Sequence, residues 1–555
     1  MFGLTPMLRS VNRLERTQNT FGGYDHRPGA GDGTIYDCLN MSADKYPLLT
    51  TRPRRSQYDY AATPNGMLVR EGLCWVDGEM LKVNGLKVAQ VTDDRKVLCQ
   101  IQDKLCIWPD KVIYDRTAGV LKPMEASWTG QAAFGDGTYA GEPALANTIR
   151  AEGNLTELFR AGDGVTVAVG DNTTLNPIEG PYIIRELEYD AETQRTELRF
   201  YEETWRKFVT ESANDSDGEM NSFPGVGIKT DITIRRNAPD LDLVFEHHNR
   251  LWGAKGSTVY ACALGDPSNW QTFDGLSVDA YELVIGSPGE ITGGCAYGGR
   301  PVFFKERSIV KIYGDGPTSW QTSEIQSLGV EAGSGKSLAV AGDVLFYKST
   351  EGVMAYSGGY PRSVAEAFGG VRYRNATAGS DGVRYYVAMA RAEDGGQEVF
   401  CYDTRYGLWH RESGKAIVDW GWDGELYAME DTGVLWRMGS ARPGSEPDSE
   451  DEMVSFAEFS DWTDGTLRRK GPGKLLLRLE ADDGVGLTIK VRYDGGEWLT
   501  VRQIHGTVKK QQFELPVQLR RCDHYSLRIE GTAEGYGGWT LHALTWERYT
   551  GSNRK

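Results

Sequence analysis

Two similar stretches of the chain decide the fold. They are Gly265-Asp266-Pro267-Ser268-Asn269-Trp270-Gln271-Thr272 and Gly314-Asp315-Gly316-Pro317-Thr318-Ser319-Trp320-Gln321-Thr322. Their tryptophans lie 50 residues apart, and each stretch follows a short apolar run that carries a tyrosine, Tyr260 or Tyr313. A unit of short strands and turn residues that recurs at such a spacing is typical of a β-propeller blade. We therefore predict an all-β chain built around a β-propeller, in which each repeated tryptophan packs against the neighbouring blade.

The composition agrees with this prediction. The 68 glycines, 27 tyrosines and 15 tryptophans favour short strands and tight turns over helices. The net charge of −17 argues against nucleic-acid binding through the overall field, although it suits a wall that DNA slides past. Eight scattered cysteines without a C-x-x-C pair indicate reduced thiols, with Cys99 and Cys106 spaced as in one hairpin. Because no signal peptide or long apolar run occurs, we predict no membrane anchor.

Changes of pattern along the chain indicate six segments. Hairpin turn signals such as Asp77-Gly78 and Asn84-Gly85 separate short apolar runs in the propeller. Counting these runs predicts about six blades, with five or seven left open. The N-terminal segment is too polar for its own core and should lie against the rest of the protein or a neighbouring subunit. The predicted segments are an extended N-terminal arm (1–60), a first blade (61–126), an inserted β-barrel-like domain (127–232), the remaining blades (233–440), a linker (441–452) and a C-terminal β-sandwich of the jelly-roll kind (453–555).

The search for metal, nucleophile and nucleotide sites gives no strong candidate. His247 and His248 are adjacent, so in a strand they would point to opposite faces and could not share a metal. His410 has no nucleophile motif near it. The run Gly333-Ser334-Gly335-Lys336-Ser337 resembles the tail of a phosphate-binding loop, but Val330 occupies the required glycine position and a strand follows. The acidic loop at 214–219 lacks the ligand series of a calcium site.

Other residues leave alternatives open. A glycosidase propeller would need two carboxylates over its channel, and a lectin would need surface aromatics. The basic group near residue 54 could contact phosphate, although a solvated turn is the favoured interpretation. We predict no catalytic residue, no metal and no cofactor, and we assign no ligand-binding residue. The residues considered are the carboxylates Asp240, Asp242, Glu290 and Asp381, the aromatics Trp498, Tyr536 and Trp539, and the arginines Arg52, Arg54 and Arg55.

The order of several short phrases resembles that of the tail nozzle, hub or tail stabilisation proteins of tailed phages. The phrases are Leu49-Thr50-Thr51-Arg52-Pro53, Ile107-Trp108-Pro109-Asp110-Lys111, Arg250-Leu251-Trp252-Gly253, Phe303-Phe304-Lys305-Glu306, Tyr356-Ser357-Gly358-Gly359 and Arg520-Arg521-Cys522-Asp523-His524-Tyr525. The resemblance covers most of the chain and is weakest at 127–232 and in the last hundred residues.

This resemblance implies a structural, non-catalytic virion protein. Its subunits would form a homohexameric ring that closes the tail channel, retains the packaged DNA and lets it exit on infection. The implied partners are other copies of the chain, a portal adaptor, tail fibres or spikes, and the genomic DNA in transient contact. The implied location is the phage tail, with assembly in the host cytoplasm. Two alternatives stay open: a carbohydrate-binding or glycan-cleaving propeller, and a baseplate or receptor-binding component of a longer-tailed phage.

Overall fold

A computed structural model describes residues 12–134, 147–169, 179–201, 229–439, 450, 453–467, 469–517, 521–533 and 537–550. The chain divides into two units, Met1–Gly78 with Ser327–Lys555, and Glu79–Gln326. The described residues form strands, here labelled β1 to β45 in chain order, and two 3-10 turns. The predicted all-β class is therefore confirmed. The predicted linker lies outside the described residues except for Glu450.

The N-terminal residues of the first unit form strands that pair far along the chain. They comprise β1 (Asn12–Gln18), β2 (Ile35–Leu39), β3 (Met41–Ser42), β4 (Leu49–Thr51), β5 (Ser56–Tyr60), β6 (Pro64–Val69) and β7 (Leu73–Asp77). The sequence predicted an extended arm over 1–60. The structure shows instead that β1, β2, β4 and β5 each pair with a strand from the C-terminal half of the chain. The N-terminal segment has no apolar core of its own, and its strands complete sheets whose other strands come from the C-terminal half of the chain.

The second unit opens with short hairpins. The hairpin β8 (Met80–Val83) and β9 (Leu86–Gln90) precedes the four-stranded meander β10 (Val97–Ile101), β11 (Lys104–Trp108), β12 (Val112–Asp115) and β13 (Val120–Pro123). The Asn84-Gly85 turn takes left-handed φ angles of 49° and 85°, as tight hairpin turns require. Cys99 lies opposite Cys106 across one hairpin, as expected. The region predicted as a single blade (61–126) holds the eight strands β6 to β13; β6, β9 and β13 had not been predicted, and prolines weaken the strand signal of β6 and β13.

A closed six-stranded barrel follows, with strand order β14-β15-β18-β17-β16-β19. Its strands are β14 (Ala126–Phe134), β15 (Thr148–Glu152), β16 (Gly164–Val169), β17 (Gly180–Asp190), β18 (Arg195–Phe200) and β19 (Lys229–Arg236). Alternate residues such as Val165, Val167, Ile232 and Ile234 fill its core. The barrel corresponds to the predicted inserted domain, and the acidic loop at 214–219 lies outside the described residues.

Two further meanders complete the second unit. They are β20 (Leu243–His247), β21 (Arg250–Lys255), β22 (Thr258–Ala261) and β23 (Tyr281–Val284), then β24 (Gly293–Tyr297), β25 (Arg300–Phe304), β26 (Ser308–Tyr313) and β27 (Gln321–Gln326). The repeated tryptophans occupy equivalent places. Trp270 meets Trp108 of an earlier meander edge to face, with ring centroids 6.1 Å apart, and Trp320 packs on Trp252 at 4.6 Å. Each copy of the repeat thus joins one blade-like sheet to the one before it.

The first repeat, 265–272, also contacts the inserted barrel. Asn269 donates to the carbonyl of Gly162 at 2.8 Å and accepts from the amide of Gly164 at 3.1 Å. Arg160 pairs with Asp266 and with the buried Asp163. The repeat therefore fixes the barrel to its neighbouring sheet, a contact that the sequence did not predict.

Three four-stranded sheets form the blade-like part of the first unit. Their strands are β28 (Ala339–Ala341), β29 (Val344–Ser349), β30 (Gly352–Tyr356) and β31 (Arg362–Ser363); β32 (Tyr373–Ser380), β33 (Arg384–Arg391), β34 (Gln397–Asp403) and β35 (Leu408–Glu412); and β36 (Ile417–Asp423), β37 (Glu425–Glu430) and β38 (Val434–Met438). The 3-10 turns are Gly335–Ser337 and Glu366–Phe368. The fourth strand of the last sheet is the N-terminal strand β5, which pairs with β38.

The C-terminal residues form the predicted β-sandwich. Its strands are β39 (Met453–Phe459), β40 (Lys470–Ala481), β41 (Val485–Tyr493), β42 (Leu499–His505), β43 (Val508–Leu515), β44 (Tyr525–Ala533) and β45 (Trp539–Thr550). One sheet has the order β3-β4-β45-β40-β43 with β1 beside β45, and the other has β2-β39-β44-β41-β42. Strand β41 alternates between buried apolar and half-buried polar residues, which places Leu487 and Ile489 in the core. Both sheets therefore need N-terminal strands that the sequence had not placed there.

Candidate functional site: an arginine clamp beside a polar cleft

Three arginines follow strand β4 and are almost fully buried. The exposed fractions of Arg52, Arg54 and Arg55 are 6%, 3% and 1%. The favoured interpretation of this basic group as a solvated turn was therefore wrong. The side chains are buried because carboxylates and carbonyl groups from distant parts of the same unit surround them. We call this set of contacts the arginine clamp.

Two arginines and two glutamates form the centre of the clamp. Arg52 makes two parallel hydrogen bonds of 2.9 Å to the carboxylate of Glu450. Arg55 donates to Glu412 at 2.7 Å, and its backbone amide donates to Glu450 at 3.1 Å. The remaining pairs are longer, with 3.5 Å between Arg52 and Glu412 and 3.6 Å between Arg55 and Glu450. Every member thus faces two opposite charges.

The outer part of the clamp reaches the sandwich. Arg54 donates to the carbonyl groups of Glu450 and Ala533, the latter at the end of β44. Arg52 also donates to the side chain of Asn40 at 2.9 Å, and Asn40 donates to the carbonyl of Val454 in β39 at 2.7 Å. The clamp therefore ties the N-terminal segment to both the sandwich and, through Glu412, the β32–β35 sheet.

The contacts of the clamp shift the pKa values of Glu450 and Arg52 towards their charged forms. Burial alone would raise the pKa of Glu450, but the charges of Arg52 and Arg55 outweigh it and lower the pKa to about 2. Burial likewise opposes the charge of Arg52, yet Glu450 and Glu412 raise its pKa above the ordinary value. Buried ions are tolerated where each is paired and hydrogen-bonded, as here.

A cleft of about 550 Å³ lies beside the clamp in the same unit. Its walls are polar and carry Asp403, which Arg384 contacts at 3.2 Å and Arg405 at 2.5 Å. These arginines hold the pKa of Asp403 below its usual range although burial acts in the opposite direction. His410 is buried in the wall, and burial lowers its pKa to about 4, so the ring is neutral at pH 7. Trp422 lines the cleft with 45% of its surface exposed.

The four carboxylates from which a catalytic pair could be drawn are divided between the two units. Asp240 and Asp242 belong to the second unit and pair with Lys111 at 2.8 Å and Lys255 at 2.6 Å. Glu290 is exposed in the same unit. Asp381 lines the cleft of the first unit, where its Oδ1 accepts from the backbone amides of residues 383 and 384. A glycosidase acid needs a raised pKa, whereas the lysine lowers the pKa of Asp240.

The histidine pair differs from the prediction. His247 and His248 stack with ring centroids 3.9 Å apart instead of pointing to opposite faces. The reason is that β20 ends at His247 and His248 adopts a left-handed φ of 50° in the following turn. Burial and the neighbouring ring lower the pKa of His247. In the described part of the chain, no three His, Cys, Asp or Glu side chains are placed to hold a metal ion.

Other residues considered from the sequence make contacts within the protein. Gly335–Ser337 forms a 3-10 turn with Lys336 paired to Asp419, so no α-helix follows the loop that resembles a phosphate site. Trp539 is buried and donates to Ser455 at 2.8 Å, which excludes it as a surface aromatic. Trp498 is half-buried beneath Arg492, 4.5 Å from the ring centroid. Tyr536 lies outside the described residues. No described helix is long and apolar enough to cross a membrane.

Comparison with known proteins identifies no family. No family model matches the chain, and no curated protein matches it. Among solved structures, a carbohydrate-binding module in complex with β-1,4-galactotriose is 10% identical, with a TM-score of 0.14 over 18% of this chain and 72% of its own. Hsv2 of Kluyveromyces lactis is 12% identical, with a TM-score of 0.26 over 49% of this chain and 88% of its own. The exo-β-1,3-galactanase of Phanerochaete chrysosporium is 10% identical, with a TM-score of 0.19 over 54% of this chain and 96% of its own. Likenesses this distant carry no conclusion about function.

Proposed function

We propose that the chain is a structural subunit of a phage tail nozzle or hub ring, which closes the tail channel, retains the packaged DNA and releases it on infection. The observation that carries the proposal is the interlocking of the first unit. Strand β5 completes the β36–β38 sheet, while β1 to β4 complete both sheets of the sandwich. The arginine clamp then holds the connection between them. Such a subunit is built to keep its shape, which is what a channel wall requires.

Pairing between strands that are far apart in the sequence supports the proposal. Strand β1 pairs with β45 over seven residues, from Asn12 opposite Thr550 to Gln18 opposite Leu544. Strand β2 pairs with β39, and β4 also pairs with β45. A pull on either end of the described chain would have to break a sheet and not merely extend a linker. The phage resemblance noted in the sequence supplies the context for this rigidity.

The net charge also favours the proposal. At −17, the chain repels duplex DNA through its overall field, and this repulsion keeps a passing genome from adhering. The proposed partners are further copies of the chain, a portal adaptor and tail fibres or spikes. Contact with DNA would be transient.

The mass of the assembled protein tests the proposal. Six subunits of 61.5 kDa give about 370 kDa, and native mass spectrometry should find this or another closed ring. Imaging of virions that contain the protein should place the ring on the tail axis. A chain that stays monomeric at all concentrations would contradict the proposal. A position away from the axis would favour the baseplate or receptor-binding alternative.

Glycan cleavage is a weaker alternative. Asp403 has a lowered pKa and is held by two arginines, which suits neither a general acid nor a free nucleophile. Hydrolysis of an oligosaccharide panel by the wild-type chain, lost in Asp381→Asn, would favour the enzyme. The cleft is better suited to binding a saccharide than to cleaving one.

A further inference from the structure

Three turns of two neighbouring sheets contribute residues to the lining of the cleft in the first unit. Asp381 lies in the turn between β32 and β33, and Arg405 lies in the turn between β34 and β35. Trp422 and Glu425 flank the tight turn between β36 and β37, where Gly424 has a φ of 70°. The two sheets contact each other through Trp420, whose indole donates to Thr377 at 3.1 Å. Their packing fixes the positions of the three turns.

Trp422 is unusual among the tryptophans that the structure describes because 45% of its surface is exposed. Tyr386 and Trp436 in the same part of the unit are only 8% exposed each, whereas Tyr406 is 40% exposed but stacks on Tyr46 with ring centroids 4.1 Å apart. An exposed indole at the mouth of a concave site provides a flat apolar surface beside water. A pyranose ring has a matching apolar face formed by its axial C–H groups.

The polar groups around Trp422 keep unused hydrogen-bonding atoms. The Oδ1 atom of Asp381 caps its own turn, and Glu425 uses Oε2 to contact Tyr427 at 3.4 Å and Arg437 at 3.5 Å. Arg405 uses Nε and one terminal nitrogen on Asp403. Within the described part of the chain, Oδ2 of Asp381, Oε1 of Glu425 and the other terminal nitrogen of Arg405 have no protein partner. Two acceptors and one donor group therefore remain for a ligand.

The charges of the lining nearly cancel. Four arginines face five carboxylates, so the cleft has no strong preference for an anion or a cation. The arginines are Arg52, Arg55, Arg384 and Arg405, and the carboxylates are Asp44, Asp381, Asp403, Glu412 and Glu425. An uncharged ligand rich in hydroxyl groups satisfies such a wall without leaving a buried charge unpaired.

We propose that this cleft binds a neutral saccharide, with one pyranose ring stacked on Trp422. Its hydroxyl groups donate to Asp381 and Glu425 and accept from Arg405. The cleft of about 550 Å³ lies within the size range of small-molecule sites, which is about 300–1,000 Å³. The proposal adds a binding function to the structural one and does not depend on ring formation.

The test uses the full chain, screened against immobilised neutral oligosaccharides of glucose, galactose, mannose and N-acetylglucosamine, followed by calorimetry on the best binder. Trp422→Ala should weaken binding at least about tenfold, because a central aromatic contact is lost. Asp381→Asn and Glu425→Gln should each weaken it severalfold while keeping the side-chain shape. The matched control is Trp498→Ala, which should bind like the wild type. An unchanged thermal midpoint will show that the variants fold.

Four outcomes would overturn the proposal, and three of them concern the cleft itself. They are no binding to any member of the panel, binding that survives Trp422→Ala, and tighter binding of an anionic saccharide such as a sialylated oligosaccharide. Loss of binding in Trp498→Ala alone would place the saccharide on the sandwich and also refute the cleft. The mass of the assembly is measured separately, so failure here leaves the ring proposal to its own test.

Discussion

Replacing Arg55 with methionine should loosen the N-terminal strand β5 more than any surface charge change. Methionine keeps most of the volume of the side chain but removes its charge, so Glu412 loses its 2.7 Å partner and Glu450 loses a second cation. Breaking a buried ion pair by removing one partner costs about 3–5 kcal/mol. The lower end is expected here because Arg52 still contacts both glutamates.

Amide hydrogen exchange measures this loss of stability in β5 itself. Arg55 directly precedes β5, whose amides are protected by pairing with β38. A loss of about 3 kcal/mol corresponds to exchange that is about 100-fold faster, since each 1.4 kcal/mol is a factor of ten. A local measurement is preferable because a chain with two units does not unfold in one step.

The matched control for this experiment is Arg27→Met. Arg27 also pairs with a carboxylate, Asp25, at 2.6 Å, but its side chain is 56% exposed. Exposed ion pairs contribute at most about 1 kcal/mol, so exchange in β5 should stay unchanged. Equal exchange in the wild type and Arg55→Met would refute the role of the clamp in holding β5.

Three further predictions concern acid, core packing and closure of the sheet. The pKa of Glu450 is about 2 in the folded chain and about 4.5 ordinarily. Its charged form therefore contributes about 3 kcal/mol to the free energy of unfolding above pH 4.5, and this contribution is lost as the pH falls towards 2. The protease sensitivity of the N-terminal segment should rise over that pH range. Trp270→Ala should destabilise the second unit by about 3–5 kcal/mol, seen as a lower denaturant midpoint, because a buried indole is lost. Gly433→Ala should accelerate amide exchange in β5. Gly433 has a φ of 98°, and an added Cβ would lie 1.9 Å from the carbonyl oxygen of Ala61. An exchange rate equal to that of the wild type would contradict this prediction.

Local pattern was enough to predict many of the strands, but not the N-terminal strands that complete the sheets. Alternation in Tyr182–Leu187 marks a barrel strand, and alternation in Leu487–Tyr493 marks a sandwich strand. The repeated Gly-Asp…Trp phrase correctly indicated packing between neighbouring sheets. These features depend on residues close together in the sequence, where the period of two and the turn chemistry act directly.

The clamp and the cleft were not predictable in the same way. Arg55 needs Glu412 and Glu450, which lie more than 350 residues away, and no local period marks a buried arginine. Trp420 and Trp422 are on the same face of β36, yet Trp420 packs between sheets while Trp422, near the strand end, remains exposed. Position along the strand relative to a neighbouring sheet decides this difference, and only tertiary structure supplies it.

The long separation between the clamp partners gives their charge a physical consequence during folding. Strand β5 cannot pair with β38 until the chain has been made as far as residue 438, so the N-terminal segment stays unpaired during most of synthesis. An apolar segment would expose aggregation-prone surface throughout that time. An arginine-rich segment stays hydrated and gains its favourable contacts only when Glu412 and Glu450 are in place. A shifted register would bury an unpaired charge at a cost of several kcal/mol. The ion pairs therefore favour one arrangement of the interlocked strands, which apolar contacts of equal area would specify less sharply.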